Sequence, residues 1–213
     1  MTKISVSFFS TDDKKEVIKK INKTDADYLH IDVADGNFVE KKTIEFSKMK
    51  ALLKDNKLPL DVHLMVESPS KLIDNYALLN TEFITIHFEL GKNLDKYIFQ
   101  IKTYGIRCGI SIKPETRIEY LFSLLDRIDL VLIMGVEPGK SGQSFIDDTL
   151  NKIETLKEEI EKRNLNVLIE VDGGINLDTS KQCVQKGTDI IVSESYIVSS
   201  NNYQDSINKL RNN

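Results

Sequence analysis

"LHIDVADGNFVE" (residues 29–40) is the stretch on which the fold turns. Side chains on a strand alternate between its two faces, so Leu29, Ile31 and Val33 share one side while His30 and Asp32 share the other. An apolar run that places a histidine two positions before an aspartate reads as a buried strand whose inner face carries chemistry. The chain has only three histidines in 213 residues, so the placement is a strong signal.

Outward from this strand, short β-rich runs alternate with longer helix-period segments along the whole chain. The strands read as 3–8, 27–32, 59–65, 83–88, 107–112, 129–134, 167–172 and 189–193. Between them lie amphipathic stretches such as "DDKKEVIKKIN" (12–22), "SPSKLIDNYALL" (68–79) and "DDTLNKIETLKEEIEKRN" (147–164), with apolar residues at three- and four-residue spacing. Ser68-Pro69 and Gly105 match helix start and stop preferences. Regular strand–helix alternation argues for a parallel sheet, and eight such units favour a closed (β/α)8 barrel of the TIM type, one α/β domain over 1–213. No GxGxxG motif follows the first strand to support a dinucleotide fold.

Composition narrows the function classes. The chain is 40% hydrophobic and 29% charged, with a net charge of -4 and basic residues scattered among acidic ones, which leaves no electrostatic footprint for nucleic acid. The longest apolar runs, such as "LVLIMGV" (130–136), are too short to span a bilayer, and "MTKISVSFF" lacks the apolar core of a secretion signal. A cytoplasmic protein is the expectation, with Cys108 and Cys183 reduced and packed in a strand and a helix. Assembly into a homo-oligomer is left open.

In such a barrel the active site lies at the carboxyl ends of the strands. The sequence places all three histidines there: His30 at the end of strand two, His63 of strand three and His87 of strand four, with Asp32 and Asp172 on strands two and seven. Two imidazoles and two carboxylates converging on one barrel mouth leave charge buried unless they hold a divalent metal. His30, Asp32, His63 and Asp172 are the expected ligands of one such ion. Mixed nitrogen and oxygen ligands suit zinc, iron, manganese or cobalt. His87 would stand behind the ligands or touch substrate.

Asp32 and Asp172, from nearly opposite strands, also suit two-base chemistry. One carboxylate removes a proton beside a ketone and the other returns one to the opposite face, through an enediolate. "DGGIN" (172–176) offers Gly173 and Gly174 for close backbone approach to a phosphate, and "PGKSGQSF" (138–145) suits a mobile cover. Met65 and Met134, at strand ends, would exclude water.

These pieces, in order, are "SVSFFSTD", "HIDVADGNFV", "LDVHLMVESP", "ITIHFE", "LVLIMGVEPGKSGQSFI" and "IEVDGGI", and together they resemble the ribulose-phosphate 3-epimerase family over almost the full chain. The resemblance implies a metal-dependent isomerase acting on a phosphorylated ketose, interconverting D-ribulose 5-phosphate and D-xylulose 5-phosphate in the pentose phosphate pathway. It implies His30, Asp32, His63 and Asp172 as metal ligands, with Asp32 and Asp172 as the acid/base pair. It also implies substrate contacts at Ser7, His63, Met65 and Met134, and Gly142, Gly173, Gly174 and Ser195 around the phosphate.

The sequence departs from the family pattern in four places: Ala34 for a methionine, Asn37 for a histidine with no proline following, Lys140 and Ser141 in a loop that usually carries a bulky apolar residue and two glycines, and Glu194 for a glycine. These departures keep an allulose-6-phosphate 3-epimerase and a non-catalytic sugar-phosphate-binding barrel as alternatives. A barrel lyase or decarboxylase would pair a lysine with the carboxylates, and the strand-two motif has none.

Overall fold

The computed structural model describes residues 1–140 and 142–212. Ser141, one of the departures noted above, lies outside the described residues. Eight parallel strands close into a barrel in chain order. They are β1 (Lys3–Ser7), β2 (Tyr28–Ala34), β3 (Leu60–Met65), β4 (Thr81–His87), β5 (Arg107–Ile112), β6 (Leu130–Met134), β7 (Leu168–Asp172) and β8 (Ile190–Ser193). Around them lie α1 (Lys14–Ile21), α2 (Phe46–Leu52), α3 (Ser70–Ala77), α4 (Leu94–Thr103), α5 (Asp148–Lys162), α6 (Leu177–Lys186), α7 (Ser195–Val198) and α8 (Tyr203–Arg211). This is the expected (β/α)8 barrel. No helix among the described residues is long and apolar enough to cross a membrane.

Strand alternation sorts the side chains into two layers. The outward residues, among them Ile4, Leu29, Ile31, Val62, Ile86 and Ile169, join the apolar helix faces in one continuous buried core. The inward residues near the strand starts, Tyr28, Phe83, Leu130 and Ile190, form a separate apolar cluster that fills the barrel floor. Above that floor the interior turns polar, with Ser5, His30, Asp61, His63, Thr85, Ser111 and Glu170 all buried.

Two expectations need correction. Strand two does not stop at residue 32: β2 runs on to Ala34, in ladder register with Met65, so His30 lies in the middle of the strand. The fifth crossover is not an α-helix but a 3-10 turn over Ile118–Leu121 followed by further turns. It packs inward through Ile118, Leu121, Leu124, Leu125 and Ile128, all buried. The glycine stop after α4 holds, since Gly105 has a φ of 73° that L side chains rarely adopt.

Candidate active site

Parallel pairing puts the chemistry in adjacent rungs. In the β2–β3 ladder His30 stands beside Asp61 and Asp32 beside His63, while Met134 of β6 stands beside Asp172 of β7. The result is that His30, Asp32, His63 and Asp172 each offer a ligand atom, and these atoms all lie within 4.8 Å of one another. His30, Asp32 and His63 are buried and Asp172 is half-buried.

Each member of the cluster is held by a neighbour. Asp32 Oδ2 accepts a hydrogen bond from Ser7 Oγ at 2.9 Å, and Asp32 Oδ1 lies 3.2 Å from His63 Nδ1. His30 Nδ1 lies 2.7 Å from Asp61 Oδ2, which also accepts from Ser5 Oγ at 2.7 Å. His30 Nε2 makes no hydrogen bond and lies 3.5 Å from Asp32 Oδ1.

Burial resists ionisation at Asp32, yet His30 and His63 beside it hold its carboxyl well below the usual range. Burial pushes the opposite way at His30, where Asp61 and Asp32 prevail and keep the imidazole well above its ordinary pKa. Burial, reinforced by the charge of Asp32, lifts Asp172 to about 7. The negative surroundings therefore favour positive charge at the centre of the cluster. An unbonded buried imidazole nitrogen and two carboxylates within reach of it fit a divalent cation.

The sequence signals fall at different depths. Ser7, Met65, Met134, Gly142, Gly173, Gly174 and Ser195 line one cavity together with Asp32 and Asp172. His63 does not line it. Fully buried, it has one ring nitrogen against Asp32 and the other 2.8 Å from His87 Nε2, which leaves it no face for substrate. Ala34, in place of the family's methionine, packs with Val39 and Met65. Asn37 continues a turn in which Asp35 Oδ1 accepts from the backbone N–H groups of Asn37 and Phe38. Glu194 lines the cavity, but its Oε1 turns aside to accept from Ser10 N at 2.6 Å and from Thr11 Oγ1 at 3.4 Å, tying the loop after β8 to the loop after β1. Lys140 pairs with Glu40 at 3.4 Å across the mouth.

Sequence reading missed the layer beneath. Asp61 and Glu170 are fully buried and share a second cluster with His30. Burial first, and the charge of Asp61 next, hold Glu170 well above the ordinary carboxyl range. Both residues carried a readable signal: each stands two positions before a ligand candidate, His63 or Asp172, and so shares its inward face. Glu89, which lies beside His87, carried the same two-residue spacing but falls just past the end of β4.

Residues 3–198 match the sequence profile described as the ribulose-phosphate 3 epimerase family. Among curated relatives, the chain is 36% identical to the ribulose-phosphate 3-epimerase of Bacillus subtilis over 214 residues, covering 99% of each protein. It is 40% identical to that of Helicobacter pylori over 189 residues, covering 89% of this chain and 87% of that protein. Among solved structures, 3-hexulose-6-phosphate synthase from Salmonella typhimurium superposes with a TM-score of 0.69 at 16% identity, over 99% of this chain and 97% of the other, a likeness of fold alone.

Proposed function

Because this chain belongs to the ribulose-phosphate 3-epimerase family and is therefore an isomerase, we propose that it interconverts D-ribulose 5-phosphate and D-xylulose 5-phosphate by two-base proton transfer at C3. The observation that carries the proposal is the placement of Asp32 and Asp172 in the lining of one cavity, with His30 and His63 clustered behind them.

His30, Asp32, His63 and Asp172 would hold one divalent ion, of zinc, iron, manganese or cobalt character. Bound there, the ion would supply positive charge for the negative charge that builds on the substrate oxygen next to C3.

The chain's own residues account for the rest. One aspartate, as carboxylate, takes the C3 proton from one face; the other, in its acid form, gives a proton to C3 from the opposite face. Each forward turnover leaves the protonation of the pair swapped, which is the state that runs the reverse reaction, and exchange of protons with solvent resets it for the next forward turnover. With no ion bound, burial and the charge of Asp32 push the Asp172 carboxyl up to about 7, and an ion held beside it would draw it down again. Ser7, by donating to Asp32 Oδ2, fixes the direction in which that carboxylate points. Met65 and Met134 border the reacting centre with apolar surface and exclude water that would otherwise protonate the intermediate at random. The phosphate would sit against Gly142, Gly173, Gly174 and Ser195 at the other end of the cavity.

Proton NMR of D-ribulose 5-phosphate in deuterated water, with metal-loaded protein, tests this reading. The expected result is xylulose 5-phosphate carrying deuterium at C3, lost in Asp172→Asn. Exchange with allulose 6-phosphate but none with ribulose 5-phosphate would move the assignment to a six-carbon substrate, and exchange with neither would leave a binding protein.

A further inference from the structure

His87 and Glu89 do not line the catalytic cavity, yet they form a continuous polar chain behind His63. His63 Nε2 and His87 Nε2 are 2.8 Å apart, and His87 Nδ1 lies 3.0 Å from Glu89 Oε2. The second oxygen of the carboxylate, Oε1, accepts from Lys113 N at 2.9 Å and from Thr116 Oγ1 at 2.5 Å, both in the loop after β5.

With an ion held by His63 and Asp32, proton bookkeeping along this chain has one consistent solution. A neutral imidazole has one donor nitrogen and one acceptor nitrogen. Glu89, already receiving a backbone N–H and a hydroxyl, is the fixed acceptor at its end, so His87 presents Nδ1–H to it and keeps a lone pair on Nε2. His63 must then donate from Nε2, which places its own lone pair on Nδ1, the nitrogen 3.2 Å from Asp32 Oδ1. Without the ion a lone pair faces a carboxylate in either order, at Asp32 in this one and at Glu89 in the reverse, so the ion between His63 and Asp32 settles the order.

We propose that Glu89 is a positioning residue that acts through His87 to hold His63 in its Nε2–H form, presenting Nδ1 to the ion site. The inference deepens the reading of His63 as a metal ligand and rests on it for its consequence. It also accounts for an asymmetry between the two ligand histidines. Asp61 holds His30 by Nδ1 and leaves Nε2 free, whereas Glu89, one imidazole further back, holds His63 by Nε2 and leaves Nδ1.

Glu89→Gln tests the idea, because the neighbours dictate how the amide must lie. Lys113 N–H and Thr116 Oγ–H keep the amide oxygen at the Oε1 position, so the NH2 takes the place of Oε2 and donates to His87 Nδ1. The whole chain then inverts and puts a proton on His63 Nδ1. Long-range proton–nitrogen correlation spectra of the zinc-loaded proteins read this directly. The expected pattern is His87 Nδ1–H and His63 Nε2–H in the wild type, both reversed in Glu89→Gln and both retained in Thr116→Val. Zinc affinity measured by chelator competition should fall about 10- to 100-fold in Glu89→Gln. A wild-type His63 protonated on Nδ1 would overturn the proposal without need of a variant, and so would a Glu89→Gln protein whose His63 tautomer and zinc affinity are unchanged. Zinc held no more tightly by wild type than by His30→Gln would sink the ion-site reading instead, with the tautomer reversal still establishing the role of Glu89 in setting His63.

Discussion

The two ends of the cavity are built differently. At the end that holds Asp32 and Asp172 the side chains come from within strands: Asp32 and His63 are rungs of one ladder, and Asp172 ends another, in register with Met134. At the other end they come from loops, where Lys140 reaches Glu40 and Glu194 reaches Ser10. A ladder position fixes direction and depth through backbone hydrogen bonds, so a substitution there has nowhere to relax. A loop position can turn its side chain aside, as Glu194 does. The four departures from the family pattern fall on the strand-two end and the loops, and His30, Asp32, His63 and Asp172 are untouched.

The strand end should therefore show the largest effect. Asp172→Asn keeps the size of the side chain and removes one base, and kcat should fall by about 10²- to 10⁴-fold with little change in melting temperature. Steady-state kinetics beside a thermal melt measures both. Activity within tenfold of wild type would break the contrast, since the strand end would then be no more demanding than the loops.

The second effect belongs to the chain behind His63 and is read in acid. Although burial pushes its carboxyl up, hydrogen bonds from His87, Thr116 and Lys113 hold Glu89 at about 2, below the ordinary 4.5. A carboxyl depressed in the folded state adds stability that is fully present above the unfolded pKa and is lost as pH falls from about 4.5 towards 2. The ceiling is about 3 kcal/mol, at 1.36 kcal/mol per pH unit. Urea unfolding of wild type and Glu89→Gln at pH 7 and pH 3 should show the gap between them narrowing in acid. A gap that stays constant would mean that Glu89 contributes packing and no charge.

At the loop end, two residues past Asp172, stands Gly174, in the segment that joins β7 to α6. Its φ is 68°, and a Cβ there would meet the Phe145 backbone at 2.7 and 2.8 Å. Backbone cannot swing away as a side-chain tip can, so Gly174→Ala should cost about 1–3 kcal/mol and raise KM, as a melt and a substrate titration would show. An unchanged KM with a lowered melting temperature would remove Gly174 from the phosphate end.

How much of this was legible follows from period and distance. The barrel could be read because strand and helix periods alternate through the chain, and the ligand cluster because His30, Asp32 and His63 stand on faces that alternation fixes. Asp61 and Glu170 obeyed the same alternation and were overlooked for lack of a reason to look below the mouth. Glu89 stands two positions after His87, but its contacts with Thr116 and Lys113 in the loop after β5 are ones that no local pattern encodes. The length of β2 was misjudged because Val33-Ala34 continues into "DGN", and turn residues there mask a strand that its neighbour Met65 extends by pairing.

The smallest effect is the most informative about the loop end. Glu194 stands where the family has a glycine, and its carboxylate is held by Ser10 N at 2.6 Å. Glu194→Gln keeps an oxygen to accept that hydrogen bond and removes only the charge, which separates the tie between two loops from the field it imposes on the substrate. At a separation of several ångströms in a cavity open to water, one charge is worth under about 1 kcal/mol, so KM for the phosphorylated ketose should fall about three- to fivefold with kcat unchanged. The gain should shrink in high salt, as a screened Coulomb effect must. Glu194→Ala loses the charge and the tie together. If its KM matches that of Glu194→Gln, the carboxylate acts on the substrate through charge alone. If its KM rises above wild type, the bond to Ser10 shapes the phosphate end, and the loops are held nearly as firmly as the strands.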